Sequence, residues 1–555
     1  MSARRWNVAE AFARAAERSP EKVALVGARA NGPGSAREQL TFGELARRVR
    51  ACAAGWARLG VGRGERVLIM AHPSLDFLVG VLSLQWIGAV PVFLDGGLPV
   101  ERILRLVAEA DAAALLASAE VLQLRAAALA PFQSVRVVVA TGVADAAADA
   151  SVAELCGVDD APPAAAPLAP DDLVGIVFTS GSTGLPKGVE FTAEMAFAGV
   201  DWLAATGLGA DDVYLAILPS HLIGSLMLGM TCVLPDIDVS RPGAADPRVI
   251  VDQVLERDVT FTIGPPSLWT LVAEHCARDA RTMPGLRVVA ISGAAVAPKL
   301  LRLVRAAVPN GEVRTPLGAT EGSPITDIGA REVLGEIAEA TARGAGVCVG
   351  RCLAGHQLRV IEITDRPLSS WSQVTELPSG AIGELVMSGP VVSRRYFRRP
   401  AETAASKILD EHGQIWHRLG DCGYLDDQGR VWYCGRIAHI ATRGGQPVYS
   451  VQVEEVFNDL PGVARTALVQ PRGEATPLVL VVEREAVAPG APGSPASLDA
   501  LRRRIDARAR EREISLDHVL FYPGPLPVDA RHNSKIERAE LAQWAAAELP
   551  LAAIA

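Results

Sequence analysis

The chain has 555 residues, well beyond the ~100–200 of a single domain, so at least two domains are expected. Its 49% hydrophobic and 21% charged residues exclude a disordered or collagen-like protein, and 51 Gly and 37 Pro imply many turns. With 54 Lys+Arg against 63 Asp+Glu the net charge is -9, which offers no general attraction to nucleic acid or to an anionic membrane.

Eight cysteines contain no C-x-x-C pair, which argues against a disulfide framework or a standard zinc site. Cys348, Cys352 and His356 come nearest to a metal cluster but lack an obvious fourth ligand, so reduced cytoplasmic thiols are expected. The first residues place Glu10, Glu17 and Glu21 where a signal peptide would be apolar, which fits an amphipathic helix instead. The apolar stretch 77–94 approaches the length of a membrane span. Gln85, Gly88 and Pro91 divide it into a helix ending near Gly88 and a short buried strand at about 90–94.

Three segments read as surface loops: 27–34, the Ala/Pro-rich 144–172, and 486–497. Between the second and third, short apolar runs (LVGIVF, LAIL, VTFTI, VVAI) alternate with helical patterns, as in a parallel α/β sheet buried on both faces. Each run is followed at once by Gly, Ser, Thr or Pro, so the loops gather at the carboxyl ends of the strands, where open α/β sheets bind ligands. From about 350 to 432, GELVMSG and GRVWYCG suggest a smaller antiparallel unit. The arginine-rich run 502–512 carries Leu501 and Ile505 on one stripe and reads as a solvated helix face.

The most informative segment is TSGSTGLPKG, from Thr179 to Gly188. Gly181, Gly184 and Gly188 let the backbone approach an anion, and Ser180, Ser182, Thr183 and Lys187 offer donors, as a polyphosphate requires. It is not a Walker A loop, because Gly188 follows Lys187. The chain holds only five lysines (22, 187, 299, 407 and 535), so a lysine here is no incidental decoration.

This segment resembles the phosphate-binding signature of the adenylate-forming (ANL) superfamily. SGAAVAP (292–298), PLGATEGSP (316–324), HRLGDCGYLDDQGRVWYCGR (417–436) and PVDARHNSKI (527–536) follow in the order that family shows, so the resemblance covers nearly the whole chain. It implies a large N-terminal domain of parallel α/β sheets with a small antiparallel β subdomain (1–435), and a smaller mobile α+β C-terminal domain (436–555). By the resemblance, Thr179, Ser180, Gly181, Ser182, Thr183, Gly184 and Lys187 would hold the β- and γ-phosphates of ATP, and Gly293 and Ala294 would border adenine. Thr320 would contact the α-phosphate and Glu321 would ligate Mg²⁺, a hard cation suited to a carboxylate. Asp421 and Arg436 would hold ribose, and Lys535, from the mobile domain, would bridge the attacking carboxylate and the α-phosphate.

Departures narrow the reading. Leu317 stands where most relatives place an aromatic ring against adenine. After Arg436 the chain reads IAHIATRGGQPVYS, with Ala438, His439, Thr442 and Pro447 in place of the usual acidic pair and Lys-x-x-Gly-x-Arg pattern, so a CoA-dependent second step is not expected. VLPDIDVSRPGAADP (233–247), GAGVCVG (344–350), WHRLGDCGYLDDQGRVWYCGR (416–436) and PVDARHNSKI followed by LAQWA resemble the β-lactone synthetases of bacterial long-chain olefin biosynthesis. The substrate implied is a 2-alkyl-3-hydroxyalkanoic acid with long hydrocarbon chains, and other olefin-biosynthesis enzymes are implied as partners. A fatty acyl-CoA synthetase or acyl-AMP ligase shares the first half-reaction. A noncatalytic binding subunit fits poorly, since Lys187, Glu321, Asp421 and Lys535 are all present. The apolar segment after His221 suits either an alkyl channel, with His221 at its mouth as general base for the hydroxyl, or a core helix.

Overall fold

The computed structural model describes residues 4–28, 37–94, 97–143, 145–157, 160–179, 186–471, 476–485, 497–529 and 534–549. Two seven-stranded sheets, each parallel but for one edge strand, form the larger part of the molecule. The first runs Ala150–Ser151, Val137–Ala140, Ala114–Ala117, Arg66–Met70, Val90–Phe93, Leu173–Thr179 and Lys187–Thr192 across its width. The second contains Phe261–Gly264 and Val288–Ile291, where VTFTI and VVAI were foreseen as strands, and Val213–Leu215, which meets the run LAIL only at Leu215. Val288–Ile291 is buried at every position, as a strand covered by helices on both faces must be.

The stretch 77–94 divides as the sequence suggests. Ser74 caps a helix Leu75–Trp86 through the Phe77 N–H, Gly88 turns the chain at φ +74°, and Val90–Phe93 enters the sheet. Among the described residues no helix is long and apolar enough to cross a membrane.

The reading of 144–172 as surface loop is corrected. It holds a strand Ala150–Ser151 and a helix Val152–Cys156 with a capping box in which the Ser151 side chain and Glu154 satisfy each other's backbone N–H groups. Leu155 is fully buried and sits so close to Gly55 that a β-carbon there would come within 2.8 Å of it. The Ala/Pro composition masks this S-x-x-E signal. Residues 29–36 and 486–496 lie outside the described part of the chain.

An eight-stranded antiparallel sheet begins at Leu317, earlier than expected, and includes Gly383–Ser388, Ile415–Leu425 and Val431–Arg436. Beyond it, strands Val463–Val469, Val479–Arg484 and His518–Phe521 form a three-stranded sheet flanked by helices Ser450–Asn458, Ser497–Glu511 and Arg538–Glu548, with its own apolar core. The arginine-rich helix turns Leu501 and Ile505 into that core, worth about 1.5–3 kcal/mol each, and leaves Arg503 and Arg504 exposed. This C-terminal part leans on helix Pro298–Ala307, where the Lys299 ammonium donates to the Val463 carbonyl and pairs with Glu485, and Arg302 pairs with Asp459 at 3.1 Å.

Candidate active site

The proposed phosphate loop is the connection of a β-hairpin. Thr179 ends one strand, Lys187 opens the next, and the two residues are paired across the ladder. Ser180, Gly181, Ser182, Thr183 and Gly184 fall outside the described residues. The Lys187 ammonium lies 4.9 Å from the ring centre of Tyr396, which the backbone holds alongside: Val189 bridges Tyr396, and the Phe397 N–H donates to the Gly188 carbonyl at 2.7 Å.

Thr320 and Glu321 form the two-residue tip of a second hairpin, between Leu317–Ala319 and Gly322–Asp327. The Tyr396 hydroxyl donates to Glu321 Oε1 at 2.6 Å. Burial works to raise the Glu321 carboxyl, but His417, Tyr396 and Lys407 outweigh it and hold the group below its usual range. Burial brings His417 down to about 3, so it is neutral near pH 7, and the Tyr396 hydrogen bond is the contribution there that needs no second charge. Burial, followed by the Glu321 charge, pushes the Tyr396 phenol well up, so it stays a donor. Lys407 is buried, burial lowers its amine to about 7, and it donates to Ser393. Tyr396, Lys407 and His417 were not foreseen, although the scarcity of lysine that marks Lys187 marks Lys407 equally.

Gly293 and Ala294 follow strand Val288–Ile291 at its carboxyl end, with Gly293 at φ +103°, a conformation that favours glycine. Asp421 and Arg436 face each other on adjacent antiparallel strands, with Arg436 Nε 3.0 Å from Asp421 Oδ1. The angles do not make this a hydrogen bond, so Oδ1 is a buried acceptor with no hydrogen-bond donor among the described residues. Burial raises the Asp421 carboxyl, and Arg436 and Lys535 oppose it. Lys535, from the far end of the chain, is thus among the charges near enough to favour the ionised Asp421 carboxylate.

The local structure explains how. Val528 and Ile536 are bridged, and the Asp529 carboxylate accepts the N–H groups of Ser534 at 3.1 Å and Lys535 at 2.8 Å. The Ser534 hydroxyl oxygen accepts the Ser267 N–H at 3.2 Å, at the start of helix Pro266–Arg278, which seats Ser534 on the larger part of the molecule.

His221 closes a short 3₁₀ turn, Pro219–His221. It is half-buried, with its Nδ1 3.1 Å from the Ser220 hydroxyl and its ring edge-on to Trp202 at 6.3 Å. Burial lowers it to about 4, which leaves the imidazole neutral at pH 7. Trp202 in turn donates to Asp327, at the end of the strand that starts beside Glu321. The segment after His221 is core: Leu222, Leu226, Met227 and Met230 pack into the largest apolar cluster. Among the described residues no group of three or more His, Cys, Asp and Glu side chains is arranged to hold a metal, and Cys348, Cys352 and His356 form no such set.

The AMP-binding enzyme family matches residues 12–397, which contain both hairpins. The chain belongs to this family. It is an adenylate-forming enzyme of the ANL superfamily, whose members use ATP. It is 38% identical over 559 residues to an olefin β-lactone synthetase of Stenotrophomonas maltophilia, covering 98% of each chain. It is 35% identical over 557 residues to one of Xanthomonas campestris, covering 97% of each. Among solved structures, an anthranilate CoA ligase holding anthranoyl-AMP aligns over 98% of both chains with a TM-score of 0.78 at 18% identity. The ATP-bound MatB of Rhodopseudomonas palustris aligns over 98% of this chain and 99% of its own with a TM-score of 0.76 at 21% identity. Both structural likenesses concern the two-domain fold of adenylate-forming enzymes, which this chain shares.

Proposed function

We propose that the protein is a β-lactone synthetase acting on a long-chain 2-alkyl-3-hydroxyalkanoic acid. The observation that carries this reading is the full-length likeness to two olefin β-lactone synthetases, with the departures at Ala438, His439, Thr442 and Pro447 in support. In the first step a substrate carboxylate oxygen attacks the α-phosphorus of ATP, and the bond to pyrophosphate breaks. In the second, the 3-hydroxyl oxygen attacks the acyl carbonyl, the hydroxyl proton passes to a base, and the bond to AMP breaks. The ring closes internally, so proximity supplies the rate and no second substrate is required.

Asp421 suits the ribose hydroxyls, because its buried Oδ1 is an acceptor awaiting a donor. Arg436 steadies it, Gly293 and Ala294 border the base, and the segment from Thr179 to Lys187 takes the β- and γ-phosphates. Thr320 contacts the α-phosphate, where Lys535 adds positive charge as negative charge builds up. Glu321, ionised and hydrogen-bonded by the Tyr396 hydroxyl, suits Mg²⁺, which when bound would neutralise phosphate charge. His221, neutral at pH 7, is the base for the hydroxyl proton. Residues 1–435 form the domain that binds ATP and acid, and 436–555 a mobile domain that delivers Lys535. The cytoplasm is the setting, and other olefin-biosynthesis enzymes are the associates.

Product analysis by mass spectrometry tests the reading. With ATP, Mg²⁺ and the hydroxy acid, AMP, pyrophosphate and a neutral product one water lighter should form at a rate indifferent to CoA. An acyl-CoA product would sink the lactone step and favour an acyl-CoA synthetase.

A further inference from the structure

Lys407 stands out among the groups the reaction above does not use. It is 7% exposed, opens the short strand Lys407–Leu409 and lies opposite His417 in the ladder. Its ammonium donates to the Ser393 carbonyl at 2.6 Å and the Ser393 hydroxyl at 3.0 Å. Ser393, itself fully buried, donates its N–H to the Glu321 carbonyl at 2.7 Å. Three residues on, Tyr396 donates to the Glu321 carboxylate, and its ring lies 5.9 Å from the Lys407 ammonium and 4.9 Å from that of Lys187. The segment from Ser393 to Tyr396 therefore grips Glu321 by backbone and side chain at once, and Lys407 anchors that segment from beneath.

We propose that Lys407 is a positioning residue for Glu321, acting through Ser393 and Tyr396 to fix the carboxylate in the orientation that receives the divalent cation of the nucleotide. A buried ammonium is costly unless its position repays it, and here its hydrogen bonds go to one residue, Ser393, which touches Glu321. The inference deepens the assignment of Glu321 to the metal and rests on it. Lys407 stays out of contact with substrate in this role, as the partners of metal ligands commonly do.

Mn²⁺ binding to the enzyme–ATP complex, followed by electron paramagnetic resonance, tests this without turnover. K407M and Y396F should each weaken Mn²⁺ about tenfold, the size typical for groups that orient a metal ligand, while ATP binding in EDTA is unchanged. The double variant should lose little more than either single one, because both changes act on one carboxylate. K407R keeps the charge and the donors to Ser393 and should recover most of the binding. Mn²⁺ binding within twofold of wild type in K407M, or K407R as weak as K407M, overturns the proposal provided that E321Q has lost binding. Wild-type binding in E321Q overturns instead the assignment of Glu321 on which the proposal stands. Should K407M fail to fold, Y396F and K407R decide the matter by the same thresholds.

Discussion

Arg538 Nη2 lies 2.6 Å from both carboxylate oxygens of Glu454, joining helix Arg538–Glu548 to helix Ser450–Asn458 three residues after Lys535. Glu454 is buried and also accepts the Leu468 N–H at 2.7 Å, so the pair fixes the base of the loop that carries Lys535 to the core beneath it. Removing one partner leaves the other charge buried and uncompensated. E454M is expected to destabilise the protein by about 3–5 kcal/mol, whereas E454M combined with R538M should recover a large part of that loss. Urea denaturation of the three variants measures it, and a double variant no better than E454M would show that the pair's charges are not the issue.

Lys535 and Asp421 should separate kinetically. A charge engaged as the α-phosphorus is attacked acts on the transition state, so K535A should lower kcat by ~10² or more with ATP binding little changed. In its proposed place at the ribose, Asp421 would bind before and during the reaction alike, so D421A should raise the KM for ATP. Release of pyrophosphate across a range of ATP concentrations distinguishes the two. An unchanged KM in D421A would remove Asp421 from the site.

Glu455 carries a pH signature. Burial, with Glu454 and Asp459 adding to it and Asn458 opposing, raises its carboxyl to about 7. Between about pH 4.5 and 7 the folded state therefore holds the proton more tightly than the unfolded chain, and stability falls as pH rises through that window. E455Q should be close to wild type at pH 5 and more stable at pH 8, by up to about 3 kcal/mol. Denaturation midpoints at the two pH values check this, and equal gains at both would refute the assignment.

As the proposed base for the hydroxyl proton, His221 should bear on ring closure alone. H221A should leave the first turnover of pyrophosphate release nearly intact while lactone appears more slowly, by about 10²-fold, as for loss of a general base. An acid lacking the 3-hydroxyl should give the same accumulation of adenylate in the wild-type enzyme. Equal slowing of both steps in H221A would assign His221 to binding instead.

The sheets were legible because covered parallel strands are written as unbroken apolar runs, and Val288–Ile291 ends where Ser292 begins. Glu321, Asp421 and Lys535 could be proposed for the site only through ordered motifs: alone, Asp421 reads as a turn residue and Lys535 as a surface amine. Tyr396, Lys407 and His417 were not legible, since no short spacing joins residues that meet only when strand Lys407–Leu409 pairs with Ile415–Leu425 and the segment before it folds over Glu321. The stretch after His221 was ambiguous for a related reason. Leu, Met and Gly serve a channel wall and a packed core equally well, and only its neighbours decide.

The scarcity of lysine also makes the protein an unusually clean target for amine chemistry. Lys407 is buried, and Lys22, Lys187 and Lys299 are half-buried. Lys535 alone of the five is exposed. An acylating or methylating reagent used sparingly should therefore mark one side chain first, and the rate of that single modification, with and without ATP, becomes a direct gauge of how the surroundings of Lys535 respond to the nucleotide.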